Sequence, residues 1–490
     1  MGFKTSLLKL WYKGGMVVEH INIEEALEKV GRLLKEEKNI SPALRAAIEV
    51  VMLLVSIMAS RMGRNSRNSH KPPSQDPNRL RKAKTDGDDQ KRKPGGQTGH
   101  DGSTLTKIDT PDTITELSID RRTLPGEKKN YQNAGYESRQ VFDVQVKLHV
   151  TEYRAEVLED DCGNRYVATF PEGVTKAVQY GFGVKAESVY LSQFQLIPLL
   201  RVQNHFTDQI GLTISKGSIS NFNEDAFKRL EPFEAWAREK LLKSPLNHAD
   251  ETGINIGGKK VWLHNLSNGQ VTLYHADEKR GKEAMDRMGV LLFYTGYLCH
   301  DHWKAYYRYK DVTHVLCNAH HLRELERVIE EEGHTWAKTL KQMLLDLNKE
   351  VVAANGILSK EKISDYCDQY REILLQGESE CPVPLPKEPG KRGRRKKTFS
   401  RNLLERLRDF EEDTLRFMTD AIVPFTNNQG ENDLRMTKVQ QKISGCFRSM
   451  EGAKIFCRVR SFLSTCRKND VSPASALRDL FQGKLPAFMS

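Results

Sequence analysis

"LNHADETGINIGGKKVWLHNLSNGQVTLYHA", residues 246–276, is the stretch whose reading decides the fold. It holds three strand-like runs, 246–256, 259–266 and 270–276, with Gly257-Gly258 and Asn268-Gly269 between them. Such dipeptides accept the positive φ that tight hairpin turns need, so the spacing predicts three antiparallel strands. Downstream the period changes. A helix-like stretch (280–288) leads to a fourth strand, "VLLFYTGYLCH" (290–300). An aromatic helix start, "DHWKAYYRY" (301–309), leads to a fifth strand, "VTHVLC" (312–317), and "NAHHLRELERVIEE" (318–331) closes the block as an amphipathic helix.

Three antiparallel strands, helix, strand, helix, strand, helix is the order of the ribonuclease H-like α/β fold. The expected fold class is therefore α/β, with a ribonuclease H-like core interrupted by a helical insertion. Its first part is expected over 244–333, the helical insertion and a basic connector over 334–422, and the completion over 423–490. A helical connector, 181–243, precedes the core, with Ser218 or Ser220 as an N-cap.

Working further outward, residues 1–62 read as a helical or coiled-coil region. Ile21, Ile23, Ala26, Leu27, Val30, Leu33 and Leu34 make one apolar stripe, and a second run begins at Ala43. An oligomerisation helix and a core helix share this signature. Residues 63–104 read as a basic flexible linker: between 61 and 100 stand eleven Lys/Arg against four Asp, with almost nothing apolar. Such a segment cannot bury enough surface to fold alone, and it reads as an arm lying along phosphates. Residues 105–180 alternate short β-like runs with turns and predict a small β-rich module.

Composition points to the same class of partner. The 490 residues carry a net charge of +11 and a pI of about 9.1, so an anionic polymer comes first. The eight cysteines are scattered with no CxxC, which fits reduced thiols rather than a disulfide framework. The longest apolar run, "VVMLLVSIMA" (50–59), is about half of a bilayer span and reads as a buried helix. No membrane association and a bacterial cytoplasmic, nucleoid-associated location are expected. Met16 is expected to start a more natural-looking protein than Met1.

Asp250 falls in the first strand of the core, Asp301 just after the fourth, and Glu431 on the first turn of a later helix, "VPFTNNQGENDLRMTK" (423–438). Phosphodiester cleavage by hard divalent ions needs a few carboxylates on a rigid frame, able to hold two ions about 3.5–4 Å apart. Ends of neighbouring central strands are adjacent, so Asp250 and Asp301 can converge. Glu431 joins them if its helix crosses the sheet. Singly these residues mean little among 65 Asp and Glu. Glu251 competes with Asp250, but successive strand residues point to opposite faces.

"HADET" (248–252), "DHWKAYYRY" (301–309), "LCNAHHLREL" (316–325) and "VPFTNNQGENDLRMTKVQQKISGCFRS" (423–449) resemble, in order and wording, the core of the IS66-type insertion-sequence transposases. "NSHKPPSQD" (68–76) and "GGQTGHDGSTL" (95–105) resemble that family's linker. The resemblance implies a DDE transposase that cuts DNA and transfers strands, with Asp250, Asp301 and Glu431 as catalytic, metal-holding residues for Mg2+ or Mn2+. Its partners would be the element's terminal inverted repeats and target DNA, bound by a homo-oligomer, with accessory proteins of the same element. A catalytically silent DNA-binding descendant of a transposase is the alternative.

Phosphate contacts are expected from Arg64, Arg67, Lys71, Arg81, Lys82, Lys91, Arg92, Lys93, Arg394, Arg395, Arg435, Lys438 and Arg448. His302, Cys317 and His320 are given a supporting place behind the acids; Cys317 and His320 form a CxxH with no visible second half. The family's four-cysteine zinc module is eroded here. Residues 118–137 hold no cysteine and 160–166 only Cys162, whereas structural zinc needs four ligands, so no zinc is expected. The 447–468 helix reads either as a solvated basic face or as a DNA track.

Overall fold

The computed structural model describes residues 9–12, 15–18, 21–37, 40–63, 68, 105–120, 122, 124, 132, 134–384 and 396–490. Arg64, Arg67, Lys71, Arg81, Lys82, Lys91, Arg92, Lys93, Arg394 and Arg395 lie outside the described residues. At the start, β1 (Lys9–Tyr12), β2 (Gly15–Val18) and β3 (Ile21–Asn22) pair antiparallel. The predicted helical stripe therefore opens two residues late, with α1 (Ile23–Glu36), because Ile21 and Asn22 are taken by the ladder. α2 (Pro42–Gly63) turns back beside it, with Arg45 donating to the Glu37 carbonyl at 3.0 Å; its apolar run is helical as expected but not buried, since Val50, Val51, Leu54 and Met58 stand exposed.

The expected β-rich module reduces, among the described residues, to one hairpin of β4 (Val157–Glu159) and β5 (Arg165–Val167). Asp160 shapes its turn by accepting from the Cys162 and Asn164 amides. The run at 139–156 joins no ladder, and Val141, Val144 and Val150 stand exposed. β-propensity without a face to bury does not make a sheet.

Next come α3 (Phe182–Val189), α4 (Leu199–His205), α5 (Lys216–Arg229) and α6 (Glu231–Leu242). The cap of α5 is Ser215, not Ser218 or Ser220; its hydroxyl accepts from the Ser218 amide at 2.9 Å. Then follow β6 (Leu246–Ile256), β7 (Lys259–Ser267) and β8 (Thr272–Asp277), antiparallel as predicted. Gly257 and Gly258 take φ +56° and +86° between the first pair. After α7 (Lys282–Met288) come β9 (Tyr297–His300) and β10 (Thr313–Leu316), each shorter than its predicted run, and α8 (Asn318–Glu332). The aromatic stretch between β9 and β10 forms only a 3-10 turn at Tyr306–Arg308, since its rings pack inward rather than along a helical stripe. The sheet order is β10-β9-β6-β7-β8, with β9 and β10 parallel to β6.

The insertion contains α9 (Thr335–Ala353), α10 (Lys360–Glu380), α11 (Phe399–Asp409) and the short α12 (Glu411–Leu415). Trp336, Leu340, Leu344, Tyr370 and Leu404 form its core, which continues into Cys299 and Val315 of the sheet. The chain returns through α13 (Asn428–Ser444), α14 (Met450–Lys468) and α15 (Pro473–Phe481). α14 covers the outer edge of β8: the Tyr274 and Thr272 amides donate to Ser461 Oγ at 2.8 Å and Thr465 Oγ1 at 3.1 Å. An edge strand so capped offers no ladder to another chain.

Candidate active site at the carboxylate end of the sheet

The parallel pairing of β6 with β9 sets Leu246 beside Tyr297 and His248 beside Cys299. Two residues further along, the same register brings Asp250 beside Asp301, where β9 has just ended. Parallel neighbours share a face. Ala249 packs into the helical core with Leu266 and Leu298, while Ile254 packs with Leu434 of α13. Asp250 therefore faces α13, and Glu251 faces the opposite core. Asp301 ends its strand in a turn, its Oδ1 accepting from the Trp303 amide at 2.9 Å.

What brings Glu431 to this end is Asn427. It stands where a helix cap belongs, yet its side chain makes no capping bond. Instead its Oδ1 meets His248 Nδ1 at 2.8 Å, and its Nδ2 donates to the Ala249 carbonyl at 2.8 Å. Its own amide donates to Cys317 Sγ at 3.1 Å, and the nearby Phe425 carbonyl accepts from the Asn318 amide at 3.0 Å. The start of α13 is thus stitched to β6 and to the start of α8. Gly430 is part of the device, since a Cβ there would lie 3.0 Å from Asn427 Oδ1. Glu431 follows on the same first turn.

The electrostatics follow from this packing. Burial pushes the Asp250 carboxyl well above the usual range, and Glu251, Asp301 and Glu431 push it further. Glu431 lies 3.8 Å from His320 Nδ1 and 3.9 Å from Arg323, and its Oε1 is buried with no hydrogen-bond partner among the described residues. Cys317 Sγ, a His320 ring nitrogen and a Glu431 oxygen lie within 4.8 Å of one another. Burial holds the Cys317 thiol up at about 11.

The structure thus brings together Asp250, Asp301 and Glu431, and sets Cys317 and His320 beside Glu431. His302 stands elsewhere: its ring packs on Phe410 and Tyr307, and burial lowers it to about 4. Lys438 donates to the Gly253 carbonyl at 3.2 Å. Burial lowers its ammonium, as does Lys260, and Asp250 partly restores it. Arg435 and Arg448 are exposed. The basic pattern of α14 is largely spent inside: Arg458 pairs with Glu234, buried Arg460 donates to the Phe194 carbonyl at 2.6 Å, and Lys468 pairs with Asp433 at 2.9 Å. Asn427 and Gly430 went unnoticed in sequence, although an Asn-x-x-Gly before a lone acid was the signal.

The donors suit hard divalent ions: three carboxylates on rigid elements, one carrying an orphaned buried oxygen. Residues 177–455, more than half of the chain, match a transposase domain, which implies a DNA-binding protein. The chain belongs to the Transposase IS66 family. Residues 17–106 separately match a family of unknown function (DUF6444). No curated protein matches the chain. Among the described residues no helix is long and apolar enough to cross a membrane.

Proposed function

We propose that this transposase is a DDE enzyme on a ribonuclease H-like core, cutting DNA at its element's terminal repeats and joining the cut end to target DNA. The sheet order, three antiparallel strands flanked by two parallel ones, supports the fold reading. The observation that carries the activity is the convergence of Asp250, Asp301 and Glu431 at one end of that sheet. These residues would hold two divalent ions, Mg2+ or Mn2+. Bound there, the ions would supply charge neutralisation at the scissile phosphate and activation of the attacking oxygen.

The chain's own part is placement. The paired strand ends fix Asp250 and Asp301, and the Asn427 stitch fixes Glu431, so no acid must be drawn in when DNA arrives. Exposed Arg435 and Arg448 would take phosphates, and Lys438, half-buried against Gly253, lies closer to the acids. The helical pair α1–α2 would join subunits, since Val50, Val51, Leu54 and Met58 stand exposed on α2. The test is nicking of DNA carrying the terminal repeats, with Mg2+ or Mn2+, by wild type and by Asp250→Ala, Asp301→Ala and Glu431→Ala. Loss of nicking in all three is expected. Wild-type cutting by all three would refute the triad, and binding to the repeats without nicking by wild type would favour a silent DNA-binding protein.

A further inference from the structure

Cys317, His320 and Glu431 approach one another from the end of β10, the first turn of α8 and the first turn of α13. Cys317 is the extended residue that caps α8, and His320 follows three residues later. The spacing therefore puts both donors at one helix end. Their ligand atoms and the Glu431 oxygen lie within 4.8 Å, with His320 Nδ1 3.8 Å from Glu431 Oε1. Arg323 approaches the other oxygen, Oε2, which leaves Oε1 beside the imidazole. The Asn427 amide already holds Sγ at 3.1 Å, so the thiol and the helix that carries Glu431 move as one piece.

Thiol and imidazole are the wrong donors for Mg2+, which prefers oxygen, and the right ones for Zn2+ and Co2+. Three protein ligands with one open position is the arrangement of non-structural zinc sites. We infer that Cys317, His320 and Glu431 form a site for one thiophilic divalent ion, Zn2+ foremost, overlapping the triad at Glu431. On binding, Sγ gives its proton to solvent and bonds to the ion together with the imidazole nitrogen and the carboxylate oxygen; nothing is oxidised or reduced. The expectation of no zinc is drawn from the eroded cysteine module, and this site departs from it.

The consequence is a brake. An ion at this site withdraws Glu431 from Asp250 and Asp301, so Zn2+ inhibits cleavage in the presence of Mg2+. That consequence rests on the DDE reading; the binding does not, and is measured without DNA. Full-length protein freed of metal is titrated with Co2+. One equivalent is expected to bind with a thiolate-to-cobalt charge-transfer band, and one equivalent of Zn2+ is expected to bleach it. Cys317→Ser removes the band, and His320→Gln weakens Co2+ binding by about a hundredfold. Cys162→Ser and Cys446→Ser, at exposed thiols, leave it intact. No band, or a band that survives Cys317→Ser, overturns the site. If Cys317→Ser melts below wild type, His320→Gln decides in its place, and undiminished Co2+ affinity in that variant overturns the site. In the nicking assay Zn2+ stops wild type, and Cys317→Ser resists it to the extent that it still cuts. A cobalt site in a protein that never cuts would sink the DDE reading and leave the metal site standing.

Discussion

The two faces of β6 carry adjacent acids that the fold treats in opposite ways. Glu251 points into the helical core with its side chain 1% exposed, and both of its oxygens have a donor. Arg280 reaches it at 2.6 and 3.0 Å, and the Tyr306 hydroxyl donates at 2.6 Å. Arg280 is itself held between the Trp262 and Trp303 rings, at 4.7 and 4.3 Å. Asp250, one residue earlier, has three acids as its main electrostatic neighbours. A buried charge is tolerated where a countercharge is built in. Glu251 has its countercharge in the chain, whereas Asp250 is arranged as though a cation came from outside. The difference separates structure from site without any reference to family.

The sharpest way to break this comparison is Asp250→Asn. Nicking is expected to fall at least a thousandfold, about 4 kcal/mol of barrier, while the melting temperature in chelator stays level or rises, because a carboxylate crowded by others is gone. Mg2+ is expected to raise the melting temperature of wild type and not that of the variant. A destabilised Asp250→Asn would show that the acid is structural after all. On the other face, Glu251→Ala strands Arg280 and the Tyr306 hydroxyl, and a loss of about 3–5 kcal/mol in urea unfolding is expected. If both variants lose stability alike, the two faces are not different in kind.

Much of this was legible in sequence because it depends on period and turns. The hairpin glycines and the alternation at 246–276 predicted β6 to β8, and the register that sets Asp250 beside Asp301 follows from two strand ends. The aromatic run at 301–309 misled, since its rings serve a buried cluster with His300 and His314 rather than a helical face. The cations of α14 misled in the same way: a basic helix on paper cannot reveal that Glu234, Asp433 and the Phe194 carbonyl await it from distant segments. Asn427 gives no local sign of its role, because its partners on β6 lie far back in the chain.

Asn427→Ala tests whether the site face depends on that stitch. It removes two side-chain bonds from a buried position, one to His248 and one to the Ala249 carbonyl, so a stability loss of about 1–3 kcal/mol is expected. Nicking is expected to fall further than the stability loss alone explains, because Glu431 loses its aim. A variant that is less stable yet cuts normally would mean that the backbone bonds to Cys317 and Asn318 and the packing of Leu434 suffice to place α13.

The smallest effect expected comes from a cation on each of the two helices that complete the sheet. Arg435 on α13 is exposed, while Arg460 on α14 is buried, donates to the Phe194 carbonyl and stacks on the Phe194 ring at 4.5 Å. Arg435→Ala should leave urea unfolding within about 0.5 kcal/mol of wild type. It should also weaken binding to every DNA sequence alike and lower the slope of log affinity against log salt by about one. Arg460→Ala should do the reverse, lowering stability with the salt slope unchanged, because its charge never meets solvent phosphate. The two slopes measured side by side decide which basic residues of the C-terminal helices belong to DNA. Equal slopes would place Arg435 among the structural cations and move the phosphate path away from the first turns of α13.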